Sequence, residues 1–396
     1  MNSTINKHAL TFGFISVFLT GLGLTIVSPV LPFIVETYTT NAHSQATVVT
    51  LLMATYALAV FLAAPLLGKL SDRYGRRPVM ILSLLGSAFG YFIFGLGGSI
   101  MLLFIGRLIE GITGGEISAI FAYFSDITPV SERTKYFGWI SALVGVGTAI
   151  GPSLGGFLAK FGNHIPMYAG AVITLLNAIY GYFFMPETLD KSQRLTSLSI
   201  QQMNPLRELV HLLTQKAVKW LLLTGFFIWV PNGSLQAIFS QFSIDTFAWQ
   251  PTFIGFLFSI LGILDIFSQA FIMPRMLTKL SDKQIATVGM ISETIGYGLI
   301  ALSAIFSVVP IFIIGMALFG IGDAIFGPAF NGLLSKSVAA NEQGRVQGGA
   351  QSIQAFARVI GPVIGGQGYA IISHTMPAFM GMILISMAIM ILTKKQ

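Results

Sequence analysis

Runs of about twenty apolar residues, the length of a helix that crosses a bilayer, recur from one end of this chain to the other. Nearly all of the charge is confined to the turns between them. Twelve such runs can be laid out. The first six are Ala9–Val35, Val48–Leu67, Val79–Gly97, Ile100–Ser125, Tyr136–Ala159 and Pro166–Met185. After the polar stretch Pro186–Lys216 come Trp220–Ile238, Phe253–Met273, Ile285–Ala304, Val308–Leu334, Val346–Ile371 and Pro377–Leu392. Only 9% of the 396 residues are charged, against roughly 25% in an ordinary globular domain. That is too little charge to cover a surface in water, and the mean hydropathy of +0.79 agrees. The pattern predicts an all-α integral membrane protein.

Charge sets the orientation, because basic loops stay on the cytoplasmic side. With the N-terminus inside, nineteen of the 22 basic residues fall in cytoplasmic segments. Lys160 alone faces outward, and Arg107 and Arg358 lie within runs. Both termini are therefore expected in the cytoplasm. The formal net charge of +7 reads as retention at an anionic inner leaflet, not as nucleic-acid binding. With no cysteine in the chain, disulfide and thiolate chemistry are excluded. No cleavable leader is expected, since the first run continues past Pro29 and Pro32 without a small-residue cleavage site.

The chain also repeats itself. Lys69-Leu-Ser-Asp72 returns as Lys279-Leu-Ser-Asp282, 210 residues on. Gly151-Pro-Ser-Leu-Gly155-Gly156 returns as Gly361-Pro-Val-Ile-Gly365-Gly366 at the same offset. Glu132 and Gly138 map onto Glu342 and Gly348 in the same way. Several matches at one displacement indicate two homologous halves. The expected division is 1–185, a cytoplasmic link 186–216, and 217–396. Within the link, Leu206–Leu213 has the pattern of a short amphipathic surface helix.

Four stretches carry a family resemblance. Gly68-Lys-Leu-Ser-Asp72-Arg73-Tyr-Gly75-Arg76-Arg77 resembles the signature loop between the second and third spans of the major facilitator superfamily. Gly147-Thr-Ala-Ile-Gly151-Pro152-Ser-Leu-Gly155-Gly156 resembles that family's antiporter motif in the fifth span. Leu103–Gly111, with Arg107 inside it, is similar to the fourth-span motif, and Gly21–Pro32 to the first-span pattern of drug:proton antiporters. The tetracycline-resistance and multidrug efflux proteins are the most similar subgroup. The resemblance implies a major facilitator fold of twelve helices in two pseudo-symmetric six-helix halves. It also implies a multi-pass protein of a bacterial cell membrane, working as a monomer among lipids.

Each motif has a physical task. Asp72, at a helix end, can accept hydrogen bonds from a neighbouring helix terminus or pair with an Arg. Arg73, Arg76 and Arg77 are expected to hold the loop to phosphate headgroups. Asp126 and Arg133, in the next cytoplasmic turn, are expected partners. In the family, this loop latches the cytoplasmic face. Glycines four apart let two helices approach backbone to backbone, and Pro152 and Pro362 each remove a helical hydrogen bond.

Ionisable residues inside spans are costly and by default functional. The chain has Arg107, Glu110 and Glu116 in the fourth run, Asp265 in the eighth, Glu293 in the ninth, Asp323 in the tenth and Arg358 in the eleventh. Arg107 and Glu110, three apart, can pair along one helix face. Glu116 stands about 180° round the helix from Arg107 and cannot. Two arginines leave at least three of the five acids unpaired, and keeping an unpaired carboxylate ionised in hydrocarbon is expensive. Asp265, Glu293 and Asp323 are the expected proton-exchanging acids, with Glu110 and Glu116 as further candidates. The resemblance gives Glu293 the place of a critical acid in tetracycline exporters. Those proteins also carry acids where this chain has Thr20 and Gly90. The redistribution favours other amphiphilic or cationic drugs as substrates.

The cavity is expected to be aromatic, with Phe226, Phe227, Trp229, Phe256, Phe258, Phe319, Phe326 and Phe330 around Asn232, Gln236 and Gln241. Apolar walls with a few polar groups suit large, loosely specified ligands. No nucleotide-binding loop of the form G-x-x-x-x-G-K-[S/T] occurs. The expectation is a transporter without cofactors that exchanges protons for small amphiphilic molecules, not an enzyme. The alternative is an exporter of a physiological metabolite, sugar, lipid or siderophore with the same fold.

Overall fold

The computed structural model describes residues 7–115, 117–128, 133–195, 216–338 and 343–395. Its helices are α1 (Lys7–Thr25), α2 (Leu31–Glu36), α3 (Ala42–Tyr74), α4 (Arg76–Leu96), α5 (Ile100–Gly114), α6 (Ile117–Ile127), α7 (Arg133–Leu158) and α8 (Ile165–Phe184). There follow α9 (Lys216–Phe247), α10 (Pro251–Phe267), α11 (Met273–Leu277), α12 (Asp282–Phe306), α13 (Val309–Lys336), α14 (Gln343–Ile371) and α15 (Met376–Lys395). Among the described residues, ten helical stretches are long and apolar enough to cross a membrane. The fourth and eleventh expected runs are not among them. The fourth is described as two pieces, α5 and α6. The eleventh, α14, carries Gln347, Gln351, Gln354 and Arg358 along its length. Glu116 and the expected surface helix Leu206–Leu213 lie outside the described residues. Outward faces are strongly apolar: Leu82 is 70% exposed and Met101 72%. Such faces belong in hydrocarbon.

Two expected spans are not continuous. The first breaks after Thr25, where backbone bonds shift to three-residue spacing, from Ser28 to Thr25 and from Val30 to Val27. Pro29 and Pro32 supply no N–H there, and α2 restarts the helix. The eighth widens into a π-turn at Ser268–Ile272, directly before Pro274. The seventh is longer than its apolar run: α9 continues to Phe247 and takes in Gln241 and Asp245.

The described chain forms two compact units. The first comprises Met1–Tyr38, Thr55–Pro205 and Pro251–Phe256; the second comprises Thr39–Ala54, Leu206–Gln250 and Leu257–Gln396. In the first, α1 packs on α7 and α8, and α4 packs on α5 and α8. In the second, α9 packs on α14 and α15, and α12 packs on α13 and α15. Adding 210 to the residue numbers converts the first set of pairs into the second, so the repeat in sequence is a repeat in packing.

Glycine makes the closest of these pairs. A methyl on Gly147, Gly151 or Gly155 would strike the backbone of α1 or of the turn after it, at Phe18, Leu22 and Ile26. Gly361 lies in the same way against the backbone of Val230 and Ser234 of α9, and Gly365 against the Ser234 side chain. The last glycine of each motif points elsewhere. Gly156 meets the Pro251 carbonyl, and Gly366 meets the Thr50 side chain.

Candidate functional site

The second unit gathers four of the ionisable residues expected within spans. Asp265 comes from α10, Glu293 from α12, Asp323 from α13 and Arg358 from α14. Asp323 and Arg358 line a cavity of about 240 Å³ together with Trp229, Asn232, Gln236 and Phe319. Asn232 is the hub. Its amide nitrogen donates to Asp323 Oδ1 at 3.0 Å, and its amide oxygen accepts from the Tyr297 hydroxyl at 3.0 Å. Glu293 stands behind this network. It is fully buried, with Asn232 and Asp323 as its polar neighbours, and neither carboxylate oxygen makes a hydrogen bond of standard geometry, Asn232 being the amide within reach. Asp265 and Arg358 both act on Asp323 through their charge. Asp265 is only part-buried and is held by Gln269 Nε2 at 3.0 Å, one turn along its own helix.

The aromatic expectation needs correction. Phe258 and Phe319 line the cavity, as do Phe239 and Met316, which the sequence reading did not single out. Phe326 and Phe330 are instead buried in the helix core, with Phe330 edge-on to Trp229. Phe256 is 56% exposed. Phe226 packs against Phe227 and Phe356.

The first unit handles its charges differently. Arg107 donates to Glu110 at 2.7 Å, and the two side chains are 1% and 3% exposed. The guanidinium also lies over the Tyr56 ring, 4.3 Å from its centre. Glu110 borders a cavity of about 30 Å³ with Thr20, Ser87 and Tyr91, the space of about one water molecule. Gly90 has no room for a side chain, because a Cβ there would press on the Glu110 backbone. Glu110 thus lies beside both Thr20 and Gly90.

The charged loop folds into a compact cluster. Arg76 is 7% exposed. It donates to Asp72 at 2.6 Å, to Asp126 at 3.0 Å and to Ser71 at 3.0 Å. The expected headgroup contact is therefore overturned for Arg76, whose guanidinium is consumed by two carboxylates inside the protein. Arg77 donates to the Tyr182 carbonyl. Gly75 turns the chain at φ 107°, a conformation that favours glycine. Glu187 grips that turn: its Oε1 accepts from the backbone N–H groups of Arg76, Thr188 and Leu189. Glu187 went unrecognised in the sequence because it falls in the linking segment. The Arg133 side chain lies outside what is described. In the second copy of the motif, Asp282 pairs with Lys336 at 2.6 Å.

Comparison with known proteins follows the same lines. Residues 13–362 match the family model described as Major Facilitator Superfamily. The chain belongs to the major facilitator superfamily. It is 35% identical to the class C tetracycline resistance protein of Escherichia coli over 88% of this chain and 86% of that one. It is 33% identical to the class H protein of Pasteurella multocida over 91% and 88%. The crystal structure of the human organic anion transporter MFSD10 (TETRAN) superposes with a TM-score of 0.73, covering 98% of this chain and 100% of that one at 21% identity. This major facilitator protein is thus a multi-pass membrane transporter related to tetracycline-resistance and multidrug efflux proteins.

Proposed function

We propose that this transporter exports amphiphilic or cationic drug-like compounds in exchange for protons. It crosses the membrane twelve times in two six-helix halves, 1–185 and 217–396, joined by a cytoplasmic link at 186–216. Both termini are cytoplasmic, and a single chain is the working unit in a bacterial cell membrane. The observation that carries the reading is the fully buried carboxyl of Glu293, with an amide and a second carboxylate for polar neighbours, one side chain behind an aromatic cavity that contains Asp323. A carboxyl in that position gains or loses a proton as water, substrate and helix movements change what it faces. A cationic substrate bound beside Asp323 competes for the same negative charge, which couples proton and substrate. The tetracycline-resistance relatives support export as the direction. The chain's Thr20 and Gly90 support a substrate range that differs from theirs.

A second reading is export of a metabolite with an anionic group, favoured by Arg358 in the cavity wall. The deciding experiment is an efflux panel in a drug-sensitive host, scored across tetracyclines, fluoroquinolones and lipophilic cations. Resistance and lowered accumulation for lipophilic cations are expected. No change for any drug, together with export of an acidic metabolite, would support the second reading.

A further inference from the structure

The second unit contains a polar cluster that the cavity does not use. Asp245 sits in the last turn of α9, beyond the apolar run. Its Oδ2 accepts from the Tyr369 hydroxyl of α14 at 2.7 Å. Its Oδ1 accepts from Gln241 Nε2, one turn earlier, at 2.8 Å. The same Gln241 nitrogen lies 3.4 Å from Gln45 Oε1 of α3. Gln241 and Tyr369 are 1% and 2% exposed and Asp245 is half-buried, so water has limited access to these contacts. Two more contacts fasten α3 to α14. Thr50 presses on Gly366, and His43 Nδ1 lies 2.6 Å from the Ala370 carbonyl. A carbonyl only accepts, so that ring nitrogen carries the proton. His374 stacks flat on Tyr369 with ring centres 4.6 Å apart.

We propose that Asp245 is the positioning residue of a latch that holds the segment Thr39–Ala54 of α3 to α9 and α14 at the outer end, and that every transport cycle must release it. The location at the outer end rests on the orientation proposed above, whereas the latch itself does not depend on the substrate. The comparable contact of the first motif copy has no charge. There Ser153 and Thr252 hydroxyls donate to the carbonyls of Gly255 and Gly156, each at 3.0 Å. Hydrogen bonds to a carboxylate are roughly twice as strong as neutral ones. Asp245 therefore sets how firmly the outer end closes, while the Ser153 and Thr252 contacts guide it.

The chain lacks native cysteine, so Thr50→Cys, at a fully buried site, reports opening. Its reaction with a membrane-impermeant thiol reagent is followed in right-side-out cells and in inverted vesicles. Tyr369→Phe in the Thr50→Cys background should speed labelling from outside about tenfold, the loss of one charge-assisted bond, and Asp245→Asn at least as much, since its bonds to both Tyr369 and Gln241 lose their charge. The two changes combined should add little to Asp245→Asn alone, and Asp245→Glu should restore part of the slow rate. Ala119→Cys, fully buried in the first unit, should stay unlabelled in the same variants. Unchanged labelling in both variants, additive effects, or equal labelling at Ala119→Cys would overturn the latch. Labelling that depends on Asp245 but occurs only in inverted vesicles would keep the latch and overturn the orientation.

Discussion

Glu110 and Glu293 are both buried glutamates in apolar helices, yet they have opposite surroundings. Glu110 is neutralised by Arg107 at 2.7 Å, whereas Glu293 faces the Asn232 amide and the Asp323 carboxylate. Removing one partner of a buried ion pair typically costs about 3–5 kcal/mol, and replacing both with apolar groups costs far less. Arg107→Leu should therefore depress thermal stability in detergent, and adding Glu110→Leu should recover most of it. Glu293→Gln should leave the melting temperature within a few degrees of wild type. A stable Arg107→Leu protein beside an unfolded Glu293→Gln protein would reverse the two roles. Arg76 gives a second contrast. Asp72→Asn removes one of its two carboxylates, but Arg76→Ala takes the guanidinium from Asp72 and Asp126 together, leaving them, among the described residues, Lys69 at 3.8 Å and the Thr188 hydroxyl at 3.0 Å. Turnover should fall in both and further in Arg76→Ala, with equilibrium drug binding largely kept. Binding that falls as steeply as transport in Asp72→Asn would contradict a gating role. The pairing of Arg107 with Glu110 was legible because three-residue spacing on a helix dictates it. The grip of Glu187 on Gly75 was not, because it spans 112 residues and no periodicity encodes it.

Among the helices, α7 shows how one helix separates close packing from open space. Gly151 and Gly155 lie against the α1 backbone and the turn after it, while Gly145 has nothing within 4 Å. Gly155→Leu should abolish transport and lower the yield of folded protein, because backbone cannot move aside as a side chain can. Gly145→Leu should be silent in both measurements. Equal damage from the two would mean that helix propensity, not close approach, explains the motif. This packing was readable in the sequence, since glycines four apart mark one face and the repeat gave the same face twice. The interruptions of the first and eighth spans were less visible. Pro29, Pro32 and Pro274 announce them, but proline is common in membrane helices and does not say whether a helix bends or breaks. The true end of α9 was hidden for another reason. Hydropathy counts Asp245 as a stop, whereas Tyr369 and Gln241 satisfy it within the fold.

For the whole molecule, the 210-residue repeat foretold the recurrence of helix pairs in the two units. What it could not foretell is which residues had diverged within that frame. Within its spans the first unit closes Arg107 onto Glu110; the second sets Asp323 among Asp265, Glu293 and Arg358. The basic residues imply an even number of crossings. Lys7→Cys and Lys395→Cys, placed singly in the cysteine-free chain, should both resist an impermeant thiol reagent in right-side-out cells. Labelling of one terminus but not the other would break the even count.

The central claim is that the acids of the second unit exchange the proton that drives transport. It is tested most directly by proton-gradient-driven uptake of a fluorescent lipophilic cation into inverted vesicles. Wild type, Asp265→Asn, Glu293→Gln and Asp323→Asn are compared at matched protein levels. Wild-type uptake should collapse when the gradient is dissipated, and at least one of the three variants should show no gradient-dependent uptake at all. Wild-type, gradient-dependent uptake in all three would contradict the account and move the coupling site to Glu110 or Glu116.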